Sequence, residues 1–203
     1  LCFDKTGTIT TGNMNVVEID DEVAEKLSSY LAYFDDENAT SRALKNHLTC
    51  KKQWDVEELG AFSSKNKYSF IKLQNSGTYF FGAYEFLGFS SEMDEYYENL
   101  KKEGYRILSL AYTEDSTNIP TNMKLIGHVV LSDEIKESSQ SVLHYFNDEN
   151  IQTIMMTGDA EATAAAVAKQ LEISDYQANC LPEDKAAYVK NLSEKGVSVA
   201  MVG

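Results

Sequence analysis

Three positions in the sequence combine the residue types that phosphoryl transfer needs. Asp4 follows the apolar run 1–3, Thr157 follows the apolar run 152–156, and Lys185 lies in the first turn of a predicted helix. The carboxyl ends of parallel strands form the ligand-binding edge of an open α/β sheet, so we expect the three side chains to meet there. A carboxylate can act as a nucleophile, while a hydroxyl and an ammonium group can hold and neutralise a phosphoryl group.

Glycine and aspartate accompany both strand ends. Gly7 allows the backbone after Asp4 to approach a phosphate closely. Gly158 and Asp159 directly follow Thr157 and precede a predicted helix N-terminus, where backbone amides bind anions. Each of these residues also fits an ordinary turn, and only their common order and spacing indicate phosphoryl transfer.

The elements that must position these residues alternate between strand and helix. Short apolar runs predict buried parallel strands at residues 1–3, 152–156, 176–178 and 197–202. Periodic apolar positions predict helices at residues 133–146, 161–171 and 183–195. This alternation predicts a doubly wound α/β sheet. The apolar runs at both ends of the sequence indicate strands cut from a longer chain.

The middle of the sequence has a different pattern. Residues 68–73 and 78–82 alternate apolar and polar side chains around Gln74–Gly77 and predict a β-hairpin. Further strands are predicted at 106–112 and 124–131, and helices at 23–34, 40–47 and 93–102, the last ending before Gly104. We therefore predict an α+β module, residues 14–132, inserted into an α/β domain made of residues 1–13 and 133–203.

Composition excludes several classes of function. The net charge of −14 over 203 residues opposes nucleic-acid binding. No apolar run reaches the roughly 20 residues of a membrane helix. The three cysteines, Cys2, Cys50 and Cys180, are odd in number and widely spaced, which argues against a disulfide framework.

Residues 4–10, Asp-Lys-Thr-Gly-Thr-Ile-Thr, match the phosphorylation motif of P-type ATPases without a mismatch. The whole chain resembles the phosphorylation and nucleotide-binding domains of that family, which belongs to the haloacid dehalogenase superfamily. The resemblance implies a Rossmann-like phosphorylation domain, residues 1–13 and 133–203, with an inserted nucleotide-binding domain, residues 14–132. It also implies an ATP-driven cation pump of the membrane, with this part on the cytoplasmic face.

The resemblance implies a role for each residue of the phosphorylation site. Asp4 attacks the γ-phosphate of ATP and becomes an aspartyl phosphate. Thr6 binds Mg²⁺ through its carbonyl and the phosphate through its hydroxyl. Thr157, with Gly158 and Asp159 of the same motif, binds the phosphoryl group, and Lys185 neutralises it. The remaining Mg²⁺ ligands are expected beyond Gly203, so the fragment is expected to have little activity.

A family hinge motif, Asp-Pro-Pro-Arg, is similar to Ser132–Lys136. Asp133 keeps the acid of this motif and Lys136 replaces the arginine, while both prolines are absent. The resemblance implies that Asp133 and Lys136 form the hinge between the two domains.

The resemblance also implies a set of nucleotide-binding residues in the inserted domain. Phe62 is expected to stack on adenine, with Lys67 beside it, and Arg106 is expected to reach the phosphates. Gly82 and Thr40 lie in segments similar to two further nucleotide-binding segments of the family. The alternative for Phe62 is an ordinary core residue, which we consider less favoured than stacking on adenine.

The inserted domain departs from the family at three positions. Phe81 replaces a lysine, Tyr84 replaces a proline and Ser41 replaces an acidic residue. These changes predict a nucleotide pocket with fewer charged contacts.

Two alternative functions remain open from the sequence. One is a soluble phosphatase of the same superfamily with a large cap, and the other is a non-catalytic nucleotide-binding regulator. Many of these phosphatases carry a second aspartate where this chain has Thr6, and the intact Asp4, Thr157 and Lys185 argue against a regulator. The Phe62 and Phe81–Glu85 segments look closest to bacterial calcium or magnesium pumps. We expect a monomeric chain that binds ATP, and a transported cation bound by a membrane region outside it.

Overall fold

A computed structural model describes residues 1–63, 65–89 and 95–203. Met93, at the start of one predicted helix, and Ser64, within the predicted adenine segment, lie outside the described residues. The chain divides into two compact units. We call residues 1–13, 99–105 and 133–203 the phosphorylation unit, and residues 14–98 and 106–132 the nucleotide unit.

Ten strands and six α-helices make up the described chain. The strands are β1 Cys2–Asp4, β2 Thr10–Ile19, β3 Val56–Gly60, β4 Tyr68–Leu73, β5 Thr78–Gly82, β6 Arg106–Thr113, β7 Lys124–Ile135, β8 Ile154–Met156, β9 Asp175–Gln177 and β10 Met201–Val202. The helices are α1 Asp21–Leu31, α2 Ala39–His47, α3 Glu95–Lys102, α4 Glu137–Asp148, α5 Glu161–Gln170 and α6 Pro182–Glu194.

A parallel sheet forms the centre of the phosphorylation unit. Its strand order is β10-β1-β8-β9, and Asp4 at the end of β1 lies opposite Met156 at the end of β8. The two central strands, β1 and β8, are buried and mostly apolar because both faces of the sheet are covered there, whereas β10 is exposed. Phe3 and Met155 pack among residues of α4 and α5, while Cys2 packs on the other face with residues of α6 such as Leu192. This is the predicted doubly wound α/β arrangement, and that prediction is confirmed.

An antiparallel sheet forms the nucleotide unit. Its strand order is β2-β7-β6-β5-β4-β3, and the predicted hairpin pairs Lys72 of β4 with Thr78 of β5. Helices α1 and α2 contribute Leu27 and Leu44 to its main core, and neither side chain is exposed. The prediction of an α+β module inserted into an α/β domain is confirmed.

Three local predictions are wrong or incomplete. The helix predicted from residue 133 begins at Glu137, because residues 133–135 are the end of the 12-residue strand β7. Strands β2 and β3 were not predicted. Most side chains of Val56–Gly60 are exposed, since β3 lies at an edge of the sheet. Its sequence therefore has little apolar pattern from which a strand could be predicted.

Among the described residues, no helix is both long and apolar enough to cross a bilayer.

Candidate active site

Asp4 ends the central strand β1 with an extended backbone, and its carboxylate oxygen Oδ1 accepts a hydrogen bond of 2.8 Å from the Lys5 amide. The chain then makes one wide turn over Lys5–Ile9. Within this turn Thr6 is extended and Gly7 adopts a φ of +79°, a left-handed conformation that glycine tolerates at low cost. The chain therefore turns directly after the strand and leaves the Asp4 side chain at the carboxyl edge of the sheet.

Lys185 is the direct partner of Asp4. Its Nζ lies 2.9 Å from Asp4 Oδ1, and its side chain is 17% exposed. Helix α6 begins at Pro182, and the Asp184 side chain accepts a hydrogen bond of 2.8 Å from the Leu181 amide. This cap fixes the first turn of α6, which carries Lys185. The structure thus brings the predicted nucleophile and the predicted cation into contact.

Thr157 lies at the end of β8, the strand that neighbours β1, and is buried. Its amide donates to the Gln177 carbonyl at 2.9 Å, and its hydroxyl oxygen accepts from the Asp159 amide at 3.1 Å. The Asp159 carbonyl in turn accepts from the Asn179 amide at 2.8 Å. Gly158, between them, is exposed. The loop after β8 is therefore held by the loop after β9.

Lys5 is a member of the site for which sequence reasoning predicted no role. Only 2% of its side chain is exposed, and its ammonium group forms ion pairs with Asp133 and, at 2.5 Å, with Asp159. Burial on its own lowers the pKa of Lys5, but the two adjacent carboxylates outweigh burial and raise it above its ordinary value. The lysine is therefore charged at neutral pH. No local sequence pattern marks its burial, which depends on the distant carboxylates of Asp133 and Asp159.

Both predicted hinge residues contact the turn Lys5–Ile9, which follows Asp4. Asp133 pairs with Lys5, as described above. Lys136 donates from Nζ to the Gly7 carbonyl at 2.7 Å and from its amide to the Ile9 carbonyl at 2.9 Å. Ser139 of α4 donates to the same Ile9 carbonyl at 2.8 Å. The segment that follows β7 thus fixes the turn that follows Asp4.

Oxygen atoms at the strand end are suited to Mg²⁺. The Asp4 carboxylate and the Thr6 carbonyl are the hard oxygen ligands that this ion prefers. Asp133 and Asp159 are already paired with Lys5, and within the described residues no group of three or more His, Cys, Asp or Glu side chains could hold a metal. Gly203 lies beside Asp4, because a Cβ added to it would be 3.3 Å from Asp4 Cβ. The residues present therefore fit part of a magnesium site.

Three of the predicted nucleotide-binding residues, Phe62, Lys67 and Arg106, lie at the surface of the nucleotide unit, whereas Gly82 is buried. Phe62 is 48% exposed and so is not a buried core residue. Lys67 is exposed and has a φ of +61°. Arg106, also exposed, begins β6 and donates to the Thr40 hydroxyl at 3.3 Å. A Cβ on Gly82 would lie 2.3 Å from the Lys67 carbonyl oxygen, so close packing of β4 against β5 accounts for this glycine.

The departures from the family pattern have structural explanations. Phe81, where the family has a lysine, is 7% exposed and belongs to the main core of the unit. Tyr84 is buried, and its hydroxyl donates to Glu98 at 2.7 Å. The Ser41 amide donates to the Asn38 side chain, which caps α2, at 2.9 Å. Packing thus accounts for Phe81 and Tyr84, and position 41 contributes its main-chain amide to the cap of α2.

Sequence comparison shows which known proteins this chain is similar to. A family model described as haloacid dehalogenase-like hydrolase matches residues 1–203. The probable cation-transporting ATPase exp7 of Streptococcus pneumoniae serotype 4 is 29% identical over 87% of this chain and 24% of its own length. A cadmium-transporting ATPase of Staphylococcus aureus is 27% identical over 100% of this chain and 29% of its own length. A copper-exporting P-type ATPase of Staphylococcus haemolyticus is 27% identical over 99% of this chain and 24% of its own.

Solved structures show the same fold. A zinc-transporting PIB-type ATPase in its E2.Pi state has a TM-score of 0.69 at 21% identity, covering 100% of this chain and 32% of that protein. The catalytic domain of the CPx-ATPase CopB-B has a TM-score of 0.66 at 20% identity, covering 100% of this chain and 71% of that domain. The chain thus has the fold of P-type ATPase catalytic domains, and it spans 24–29% of the length of the curated relatives above.

Proposed function

We propose, on the premise that this chain belongs to the haloacid dehalogenase-like hydrolases, that Asp4 accepts the γ-phosphoryl group of ATP and forms an aspartyl phosphate. The chain is homologous to P-type ATPases, as its resemblance predicted. We extend the proposal to the full-length protein, which would use this phosphoenzyme to drive a cation across a membrane, with this part on the cytoplasmic side.

The ion pair between Asp4 and Lys185 is the observation that carries the proposal. A carboxylate at the end of a central parallel strand, 2.9 Å from an ammonium group, is ready to attack an electrophile and to have the added charge neutralised. The buried Thr157 stands at the end of the neighbouring strand, with its hydroxyl oxygen already accepting one hydrogen bond. This oriented hydroxyl supports a role as donor to a phosphoryl oxygen.

The proposed step is an in-line displacement at phosphorus. An Asp4 carboxylate oxygen forms a bond to the γ-phosphorus, while the bond to the β–γ bridging oxygen breaks and its electron pair leaves with ADP. Lys185 neutralises the negative charge that nucleophile and phosphoryl group bring together. Mg²⁺, held by the Asp4 carboxylate and the Thr6 carbonyl together with ligands we propose to lie beyond Gly203, would neutralise the phosphate oxygens when bound.

Thr6 favours a pump over a phosphatase of the same superfamily. The position two residues after the nucleophile is exposed here and carries a hydroxyl, which is a poor general acid and base. Water attack on an aspartyl phosphate would therefore receive little help from this residue. Slow hydrolysis gives the long-lived phosphoenzyme that energy coupling needs.

The nature of the cation is a separate part of the proposal. Relatives whose names specify an ion are cadmium- and copper-transporting ATPases, which supports a heavy-metal cargo. Calcium or magnesium, expected from the sequence, stays a prediction. Vesicles containing the full-length protein should distinguish these cargoes, because only the transported ion should accumulate with ATP and stimulate ATP hydrolysis.

Phosphorylation of the full-length protein tests the chemical part of the proposal. Incubation with labelled ATP and Mg²⁺ should give an acid-stable, hydroxylamine-labile phosphoprotein. Asp4→Asn should abolish the label, because an amide is not a nucleophile. Asp148→Asn, an exposed aspartate of α4, is the matched control and should keep the label. Label that survives in Asp4→Asn would place the phosphorylated residue elsewhere.

A further inference from the structure

Lys5 stands apart from the other charged residues of the chain. Among the residues that the structure describes, it is the only Lys, Arg, Asp or Glu that is buried, with 2% of its side chain exposed. Its two carboxylate partners come from different parts of the phosphorylation unit, Asp133 near the end of β7 and Asp159 in the loop after β8. A buried cation with two carboxylates needs close pairing, since uncompensated charge is costly there.

We propose that Lys5 is a positioning residue for phosphoryl transfer, which holds the loop after β8 and thereby orients the Thr157 hydroxyl towards the nucleophile Asp4. This inference rests on the proposed function, because it assigns Thr157 to the phosphoryl group.

A continuous series of contacts supports this role. Lys5 Nζ lies 2.5 Å from Asp159 Oδ2, and the Asp159 amide donates to Thr157 Oγ1 at 3.1 Å. A threonine hydroxyl has one hydrogen to donate and two lone pairs. Since one lone pair of Thr157 accepts from the Asp159 amide, the hydroxyl orientation depends on where Asp159 is held. The Asn179 amide, 2.8 Å from the Asp159 carbonyl, holds the same residue from the other side.

The main chain of Lys5 acts on the nucleophile itself. Its amide donates to Asp4 Oδ1 at 2.8 Å, while its side chain reaches Asp159. One residue therefore links the group that attacks to the loop that would receive the phosphoryl oxygens. This double connection distinguishes Lys5 from a lysine that merely stabilises the fold.

Direct charge neutralisation by Lys5 is the competing explanation. Its ammonium group is almost wholly buried and already has two carboxylate partners, whereas Lys185 is partly exposed and touches Asp4. A phosphoryl group at Asp4 would thus find its counter-charge in Lys185. Lys5 therefore positions the loop after β8, and it acts through its ion pair with Asp159.

Amide hydrogen exchange on the isotope-labelled 203-residue chain tests the inference without any catalysis. In Lys5→Met, the amides of Asp159 and Asn179 should exchange about tenfold faster or more, because the loop they hold has lost its anchor. The amide of Met155, in the centre of β8, should speed up only as far as the measured loss of global unfolding free energy requires. Lys5→Arg, which keeps the charge, should restore slow exchange at both loop positions.

Lys185→Met is the matched control, since it removes the other lysine of the site without touching Asp159. It should leave exchange at Asp159 and Asn179 unchanged. If Lys5→Met fails to fold, Asp159→Asn keeps the Lys5–Asp133 pair and should speed exchange at Asn179 in the same way. Unchanged exchange at these loop amides in a folded variant, or loop amides that exchange no faster than global unfolding allows, as Met155 does, would overturn the inference.

Phosphorylation of the full-length protein supplies the second measurement. Lys5→Met should slow phosphoenzyme formation by roughly tenfold or more at saturating ATP, because a misplaced donor stabilises the transition state poorly. The ATP concentration for half-maximal rate should stay unchanged, since Lys5 is not a nucleotide contact. A raised half-maximal concentration with an unchanged maximal rate contradicts the inference. Label that persists in Asp4→Asn would defeat the proposed function instead, and the exchange measurement would still decide whether Lys5 positions the loop.

Discussion

The phosphorylation unit and the nucleotide unit differ in where their charged side chains lie and in how those side chains are paired. In the phosphorylation unit the charges of the candidate site are paired with one another: Lys185 with Asp4, and Lys5 with Asp133 and Asp159. In the nucleotide unit no described Lys, Arg, Asp or Glu side chain is buried, and the candidate contacts Phe62 and Arg106 lie at the surface. Phe62 is half exposed there, and Arg106 reaches only a threonine hydroxyl.

This difference follows from the work proposed for each unit. Groups that stabilise a transition state act best when they are held in place beforehand, so their orientation costs nothing during the reaction. Groups that hold a soluble nucleotide must stay open to solvent, where each contact contributes little. Substitutions should therefore have large, coupled effects in the phosphorylation unit and small, nearly additive ones in the nucleotide unit.

The largest effect on stability is expected for Lys5. Lys5→Met leaves two carboxylates without their buried partner and should lower the free energy of unfolding by about 3–5 kcal/mol, measured by urea denaturation. Because the pKa of Lys5 is raised, its contribution is fully present below the ordinary lysine value near ~10.4 and is lost only as pH rises above that value. The loss should thus be the same at pH 6 and pH 8.

Lys190→Met serves as the control for this measurement, because Lys190 is 76% exposed on α6 and pairs only with Glu194. It should change the unfolding free energy by less than about 0.5 kcal/mol. Equal losses of unfolding free energy in the two variants would mean that the ion pairs of Lys5 stabilise the fold no more than an exposed ion pair does.

A large effect on rate is expected for Lys185. Lys185→Met in the full-length protein should slow phosphorylation from ATP by about 10²–10³-fold, the usual consequence of losing one preorganised group that stabilises developing charge. Rapid-quench measurement of labelled phosphoenzyme gives this rate directly. A normal rate would show that the contact with Asp4 has no part in the chemistry.

A smaller effect is expected for Phe62. Adenine stacking is worth roughly 1–3 kcal/mol, so Phe62→Ala should weaken ATP and AMP binding alike, since both share the base. The isolated chain should bind ATP weakly, with a Kd on the order of 0.1–10 mM, because Phe81 and Ser41 replace charged contacts. Chemical-shift titration measures both affinities. Phe86→Ala, which removes another aromatic ring of similar exposure, 49%, should leave them unchanged.

The smallest effect is expected for Arg106. As an exposed cation it should contribute about 0.2–1 kcal/mol, so Arg106→Ala should weaken ATP binding by up to roughly fivefold and spare AMP, which lacks the outer phosphates. Arg42→Ala removes an equal charge from another exposed arginine and should alter neither affinity. Equal weakening of ATP and AMP by Arg106→Ala would contradict a phosphate contact.

Local patterns in the sequence were sufficient for the parts of the fold that depend on burial and on turn chemistry. Apolar runs predicted the buried strands β1 and β8, and Pro182 predicted the start of α6. A strand was also predicted at each of the positions of β9 and β10, but β10 is only Met201–Val202 and is exposed, not buried. Since strand β1 ends and helix α6 begins at the same sheet edge, the contact between Asp4 and Lys185 followed from the order of the elements. These features need only short-range information, because strand and helix periodicity are properties of neighbouring residues.

The tertiary structure decided what depends on distant partners. The exposed edge strand β3 has no apolar pattern, and its pairing with β4 defines it. Phe81 and Phe62 are both aromatic, yet one is a core residue and the other half exposed. The burial of Lys5 could not be anticipated, because a lysine is stable inside a protein only where carboxylates meet it. Asp133 and Asp159, far along the chain, reach it only once the sheet has formed.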